Sequence, residues 1–311
     1  VENFILQAQQ ITKNFGSVEA VKGVSLSIKK GELFGLVGPD GAGKTTLIRS
    51  FCGLLNPTNG SARLFGLNVA SNKKAVQKRI GYLSQKFSLY GDLTVDENIE
   101  FFAEIHEVSN YFSRRNELLE FTRLKPFRNR LAEKLSGGMK QKLALACSLI
   151  HSPEILLLDE PTTGVDPLSR RDFWKILFTL RKEGMTILIT TPYLGEAERC
   201  NRVALMNRGE ILMVDEPEII KNSLNKNVLE ITCSPAIECA KILKNQTAAD
   251  VQIFGDRIDV LLEKGEDPQP YIEKVKSNNL TVKNFNLKSP SLENVFIHLI
   301  KKQDFNKARK K

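Results

Sequence analysis

"GELFGLVGPDGAGKTTLIRSFCGLL" (31–55) decides how this chain is read. An apolar run ends in a loop with glycines at 38, 41 and 43, and a helical segment begins at once. Within it "GPDGAGKT" (38–45) fits G-x-x-x-x-G-K-[ST], a pattern that arises by chance in about one chain of this length in a hundred. Gly38, Gly41 and Gly43 let the backbone wrap a phosphate chain with its N–H groups, Pro39, Asp40, Ala42 and Thr46 complete the loop, and the helix N-terminus faces the anion. Lys44 is placed for the β- and γ-phosphates of ATP and the Thr45 hydroxyl for Mg²⁺. A plain glycine-rich turn is the weaker reading.

Two more stretches carry chemistry. "ILLLDEP" (155–161) reads as a parallel strand buried on both faces, with Asp159 emerging at its carboxyl end, where such folds bind ligands. Asp159 is expected to hold the Mg²⁺ hydration shell and Glu160 to take a proton from the attacking water. Alone, Asp-Glu-Pro after a strand is a turn; beside the glycine loop it becomes a metal-and-base pair. "LSGGMKQ" (135–141) then supplies a second phosphate-facing helix N-terminus, with Ser136, Gly137 and Gly138 ahead of apolar positions at 139, 143, 146, 147 and 150. Such a chain can close a nucleotide between its own loop and a partner's serine, in a head-to-tail pair.

On these residues the chain resembles the ATP-binding subunit of ABC transporters over about 1–217. The resemblance assigns Lys44 and Thr45 to Walker A, Ser136 to Gln141 to the signature, Asp159 and Glu160 to Walker B, and Asp166 of "GVDP" to the D-loop. It puts Gln85 at the γ-phosphate and, with Thr45 and Asp159, at the metal; a polar strand end is its bland reading. Phe15 matches the aromatic that stacks on adenine, although its spacing fits a core residue equally. "FSLYGDLTVDENIEFF" (87–102) and "SPSLENVF" (289–296) narrow the resemblance to ABC-2 exporters of the multidrug or daunorubicin-resistance kind. There the ATPase is a separate subunit, peripheral on the cytoplasmic side of the membrane. The implied partners are a transmembrane permease subunit, docking near 86–106, and either a second copy or a second ABC ATPase domain.

"TILITTPYLGEAE" (186–198) departs from the family. Aligned without a gap, Pro192 occupies the place of a switch histidine that contacts the γ-phosphate, and His106, His151 and His298 lie elsewhere. Proline suits a helix's first turn, so the departure is chemical. ATP binding is expected to survive and hydrolysis to weaken, with Tyr193 or the hydroxyls of Thr190 and Thr191 compensating in part.

The expected architecture is an α/β P-loop NTPase of ABC type over 1–217, with an antiparallel β flap within 3–30 and a helical insert at about 86–150. Strands are read at 31–38, 79–85, 154–160, 186–191 and 202–211, and Thr94 with Glu97 forms a capping box. Residues 218–311 spell β-α-β-β-α-β and a last helix, a small ferredoxin-like α+β domain with a hairpin at Gly255-Asp256 and a basic tail.

Composition agrees. The 311 residues are 41% hydrophobic and 26% charged, ordinary for a soluble chain, and no apolar run approaches the roughly 18 residues of a membrane span. Five cysteines without a C-x-x-C pair point to free thiols. The net charge of +9, partly in "KKQDFNKARKK", fits a solvated terminus or a phosphate-rich partner. A soluble ABC ATPase acting on ribosomes or nucleic acid and an ATP-dependent dimerisation switch remain as alternatives. Against the first, the chain has a single P-loop, whereas translation-factor relatives typically carry two cassettes, and no specific nucleic acid is expected.

Overall fold

The apolar runs around the glycine loop become strands covered on both faces. The computed structural model describes residues 3–86 and 89–308, the side chains of 306–308 excepted. The chain opens with β1 (Phe4–Phe15), β2 (Val18–Lys29), β3 (Leu33–Val37) and α1 (Lys44–Phe51). Next come β4 (Asn59–Leu64), β5 (Leu67–Asn68), α2 (Lys73–Gln77) and β6 (Ile80–Leu83). Helices α3 (Val95–Ile105), α4 (Phe112–Phe121) and α5 (Gly137–Leu149) precede β7 (Ile155–Asp159) and α6 (Pro167–Lys182). Then follow β8 (Thr186–Thr191), α7 (Leu194–Ala197), β9 (Arg202–Asn207) and β10 (Glu210–Asp215).

The central sheet runs β10-β9-β3-β8-β7-β6. β9, β3, β8, β7 and β6 pair in parallel, so the segments after β3, β6, β7 and β8 emerge at one edge. Every residue of β3, β7 and β8 is buried, which is why these strands read as unbroken apolar runs. A second sheet, β2-β1-β4-β5, forms the flap. It reaches beyond the flap expected within 3–30: β1 and β2 are each 12 residues long, kept in one ladder by bulges, and residues 59–68 add two more strands.

Residues 202–211 do not form one strand. Arg208 and Gly209 both take positive φ, 47° and 84°, and fold the segment into a two-residue hairpin. Proline 192 also falls outside the helix that follows it, because α7 starts at Leu194 with Tyr193 as its cap; the Thr191 hydroxyl instead accepts the Tyr193 N–H at 3.0 Å and holds the turn. The capping box at α3 forms as expected, Thr94 and Glu97 each accepting the other's backbone N–H. Phe87 and Ser88, at the start of the stretch that carries the exporter resemblance, lie outside the described residues.

Contacts cluster into two units that part between Val214 and Asp215. The second holds α8 (Pro217–Ser223), β11 (Lys226–Ser234), α9 (Ala236–Gln246), β12 (Asp250–Phe254), β13 (Arg257–Glu263), α10 (Gln269–Ser277), β14 (Thr281–Lys288) and α11 (Leu292–Ala308). Its sheet order, β12-β13-β11-β14, is all antiparallel, and Gly255-Asp256 turns the β12–β13 hairpin. Leu229, Ile231, Val260, Leu243 and Val275 join sheet and α9/α10 in one core. The five cysteines are free and buried. Among the described residues no helix is long and apolar enough to cross a membrane.

Candidate functional site

Close packing explains why the loop after β3 needs glycine. A Cβ at Gly38 would lie 2.1 Å from the Met206 carbonyl oxygen, and one at Gly43, whose φ is 103°, would lie 2.5 Å from that of Ala20. The loop is therefore pressed against β9 and β2, and α1 begins at Gly43 without a side-chain cap. Its first N–H groups stay available to an anion. Above the loop a cleft is lined by Phe15, Ala20, residues 40–46, Gln85 and Glu160. Phe15 is 50% exposed at its mouth, with Lys13 Nζ 5.2 Å from the ring centroid. The core reading of Phe15 fails; the ring is open to a planar ligand.

Lys44 and Glu160 form the centre of the cleft. Lys44 Nζ donates to the carbonyls of Gly38 and Pro39 at 2.7 and 3.0 Å and pairs with Glu160 Oε1 at 3.0 Å, both side chains nearly buried. Gln85 Nε2 donates to Glu160 Oε2 at 3.1 Å and Thr163 Oγ1 to the same oxygen at 3.3 Å. Glu160 sits in the left-handed region, φ 48°, a conformation a β-carbon resists. Its N–H is held by Thr190 Oγ1 at 2.9 Å.

Asp159, the residue before Glu160, is fully buried. Oδ1 accepts from Thr45 Oγ1 at 3.1 Å and Thr190 Oγ1 at 2.8 Å, whereas Oδ2 is buried without a partner. Burial, with a contribution from the Glu160 charge, raises its pKa above the usual carboxylate value, and the two hydroxyls pull it partly back. An orphaned anionic oxygen beside a threonine hydroxyl is the donor set of a hard divalent cation. Among the described residues no three His, Cys, Asp or Glu side chains cluster for a metal, so phosphate oxygens would have to complete the shell.

The remaining expected site residues lie elsewhere. Ser136 caps α5 by accepting the Met139 N–H at 3.3 Å. A Cβ on Gly137 would meet open space, while one on Gly138 would strike Ser169 at 2.4 Å. Ser136, Gly137 and Gly138 do not line the cleft. Asp166 caps α6 through the Ser169 N–H at 2.9 Å. Gln141 departs from its expected place: it is 1% exposed, with neither amide atom partnered, because nearly the whole circumference of α5 is buried beyond its first turn. It does not line the cleft.

The 190–193 segment brings a correction. Thr190 is committed to Asp159 and to the Glu160 N–H, Thr191 donates to Glu196 Oε2 at 2.7 Å, and both are fully buried. Neither hydroxyl is free to replace a histidine. Tyr193 stacks under the Arg170 guanidinium, 4.6 Å away. His106 and His151 stack on each other at 3.8 Å in an apolar groove with Leu54, Tyr82, Phe102 and Cys147, and His298 bonds Asp250 at 3.0 Å. Thr190 was read as a substitute for the histidine and not as the partner of Asp159 and the Glu160 N–H, and Glu196 was given no role by the sequence. Paired threonines at a strand end, and an acid on the buried face of α7, were the only signals available.

Comparison with known proteins follows the same lines. The family model described as ABC transporter matches residues 21–163, and that described as the C-terminal domain of DrrA1-3-like ATP-binding proteins matches 216–300. A probable multidrug ABC transporter ATP-binding protein, YbhF of Escherichia coli, is 41% identical over 95% of this chain and 52% of its own length. The chain thus spans about half of that relative. The daunorubicin/doxorubicin resistance ATP-binding protein DrrA of Streptomyces peucetius is 33% identical over 94% of this chain and 92% of its own. Among solved structures, cbiO1 of Clostridium perfringens, part of the ABC transporter complex cbiONQ, superposes with a TM-score of 0.65 at 28% identity, over 70% of this chain and 91% of that one. The ATP-binding cassette MJ0796, dimeric and bound to ADP and Pi, gives 0.62 at 27%, over 68% and 98%.

Proposed function

The chain belongs to the ABC transporter family as one of its ATP-binding proteins, and from that premise we propose that it energises export by closing on MgATP as half of a head-to-tail pair. The observation that carries the reading is the Lys44–Glu160 ion pair at 3.0 Å next to Asp159, whose Oδ2 is buried without a partner. A triphosphate arriving on the loop competes with Glu160 for the Lys44 ammonium. Once Lys44 turns to phosphate, Glu160 keeps only Gln85 and Thr163 and becomes a base for water. Thr45 and Asp159 would hold a Mg²⁺ that neutralises phosphate charge. Phe15 offers its open face to the adenine.

The exposed Ser136–Gly137 edge serves the partner's nucleotide, which is why it need not line the cleft of its own chain. That partner is a second copy or a second ATPase domain, and the half-length coverage of the E. coli relative supports the latter equally well. The apolar groove lined by Ser84, Leu89, Phe102 and the stacked His106 and His151 suits the docking of a permease helix on the cytoplasmic face. The relatives' names support drug-like cargo, but this chain would not touch it.

Turnover at the chain's own site is proposed to be slow. Pro192 offers no hydrogen bond, and Thr190 and Thr191 are occupied. A bond to a charged group is worth about 1.5–3 kcal/mol, so Pro192→His should raise kcat roughly 10- to 100-fold with ATP affinity unchanged. Single-turnover ATPase assays of parent and variant decide it: fast parental turnover, unmoved by the substitution, sinks the slow-site reading. A dimerisation switch with negligible turnover is the second reading, favoured by the same occupied hydroxyls, and the parental rate separates the two.

A further inference from the structure

Glu196 is 4% exposed and takes no part in the chemistry above, yet three separate segments converge on it. Thr162 Oγ1 donates to Oε1 and Oε2 at 2.7 and 2.9 Å. Thr191 Oγ1 donates to Oε2 at 2.7 Å, and Arg170 Nε stands 3.6 Å from Oε1. Thr162 is two residues beyond Glu160, Thr191 directly precedes Pro192, and Arg170 lies in the first turn of α6, which Asp166 caps. Arg170 is itself tied to both sides, since Nη2 donates to the Val165 carbonyl at 3.4 Å and the guanidinium covers Tyr193. A buried carboxylate is costly to keep, and hydroxyls at these positions have local backbone partners to choose from. Here both threonine hydroxyls donate to one junction, Thr191 accepting the Tyr193 N–H besides.

We propose that Glu196 is a positioning residue for hydrolysis, locking the 191–193 turn to the 160–166 turn so that the side chain at 192 and the carboxylate of Glu160 hold a fixed separation. This rests on the reading of 192 as the switch position. The junction also joins Asp166, on the outer turn, to the γ-phosphate end of the cleft, so that a push on one turn moves the other. Its role is geometric: Glu196 touches no substrate and sits behind the turn that would.

The test is a double-mutant cycle on the full chain, with Pro192→His and Glu196→Gln singly and together, following kcat, KM, nucleotide affinity and melting temperature. The proposal expects the gain from Pro192→His to shrink at least tenfold in the Glu196→Gln background, with affinity for a fluorescent ATP analogue within twofold. A full gain in both backgrounds overturns it. If Pro192→His gains nothing in the parent, the slow-site reading has failed instead, and Glu196→Gln alone then decides. A kcat at least fivefold lower with unchanged KM supports the junction, and an unchanged kcat overturns it. Thr162→Val, which removes one hydroxyl and no charge, should show the same kcat-only loss if Glu196→Gln does not fold. A merely structural role would lower melting temperature and nucleotide affinity together.

Discussion

Asp159 and Asp259 are both buried aspartates with one unpartnered oxygen, and their surroundings are opposite. Asp159 is met by two hydroxyls and a neighbouring carboxylate, with the Arg49 charge acting on it only as a lesser influence, and among the described residues it has no ion pair within 4 Å. Asp259 accepts from Asn294 Nδ2 at 2.9 Å, with Lys288 Nζ at 3.6 Å and Arg257 Nε at 4.0 Å. Asn294 in turn donates to Gln252 at 3.0 Å, and its side-chain oxygen accepts from the Ser291 hydroxyl at 2.7 Å, fixing α11 to the sheet. A charge that the fold neutralises itself is a fastener. One left open at the end of a strand is a site that a cation completes.

The largest effect should come from cutting the open charge. Asp159→Asn is expected to lower MgATP turnover at least 100-fold, on the order of 3 kcal/mol or more in the barrier; a mild loss would erase the distinction between the two aspartates. Removing the closed one should cost stability instead. Asp259→Ala takes one acceptor from Asn294, which keeps Gln252, and one carboxylate from Lys288, which keeps Glu230; the lost buried hydrogen bond to a charged group costs about 2 kcal/mol and should drop the melting temperature of the C-terminal unit by on the order of 10 °C without changing nucleotide affinity.

Next in size is pH. Burial raises the Asp159 pKa in the fold, so the folded state holds its proton more tightly than the unfolded chain does. The nucleotide-free protein should therefore gain stability as pH falls through that raised value, hold it in full below the ordinary aspartate value, and lose it as pH rises back through the raised one. Asp159→Asn should flatten this trend and raise the melting temperature at neutral pH. Asp250 behaves the other way: burial pushes its pKa up, but hydrogen bonds from Lys301 and His298 outweigh burial and leave it lowered. Its contribution is full above the ordinary aspartate value near ~4 and is lost as pH falls through the depressed one. Both partners are substantially exposed, so the loss in a His298→Ala, Lys301→Ala double variant should stay under about 1 kcal/mol. A steeper acid transition than the parent's would contradict that.

Much of this was legible before any coordinates. The glycine loop, the runs ending at Asp159 and Thr191, and the hairpin at Gly255-Asp256 are local statements, because backbone freedom, burial on both faces and turn chemistry are written in consecutive residues. The resemblance supplied the roles, and the departure at Pro192 could be read by alignment alone. Position 15 was ambiguous for a physical reason: an aromatic between a β strand and a turn has the same spacing whether it faces the core or the solvent.

Sequence by itself pointed to the residues proposed for phosphate chemistry, since that expectation depends on residue type at fixed short spacing. Only tertiary structure decided who satisfies whom. It buried Gln141, spent the hydroxyls of Thr190 and Thr191, turned Lys44 onto Glu160, and gathered Thr162, Arg170 and Thr191 around Glu196. Those pairings join residues up to 116 positions apart, Lys44 to Glu160, and no local pattern encodes them, because a hydrogen bond is fixed by where packed elements bring two groups and not by their order along the chain.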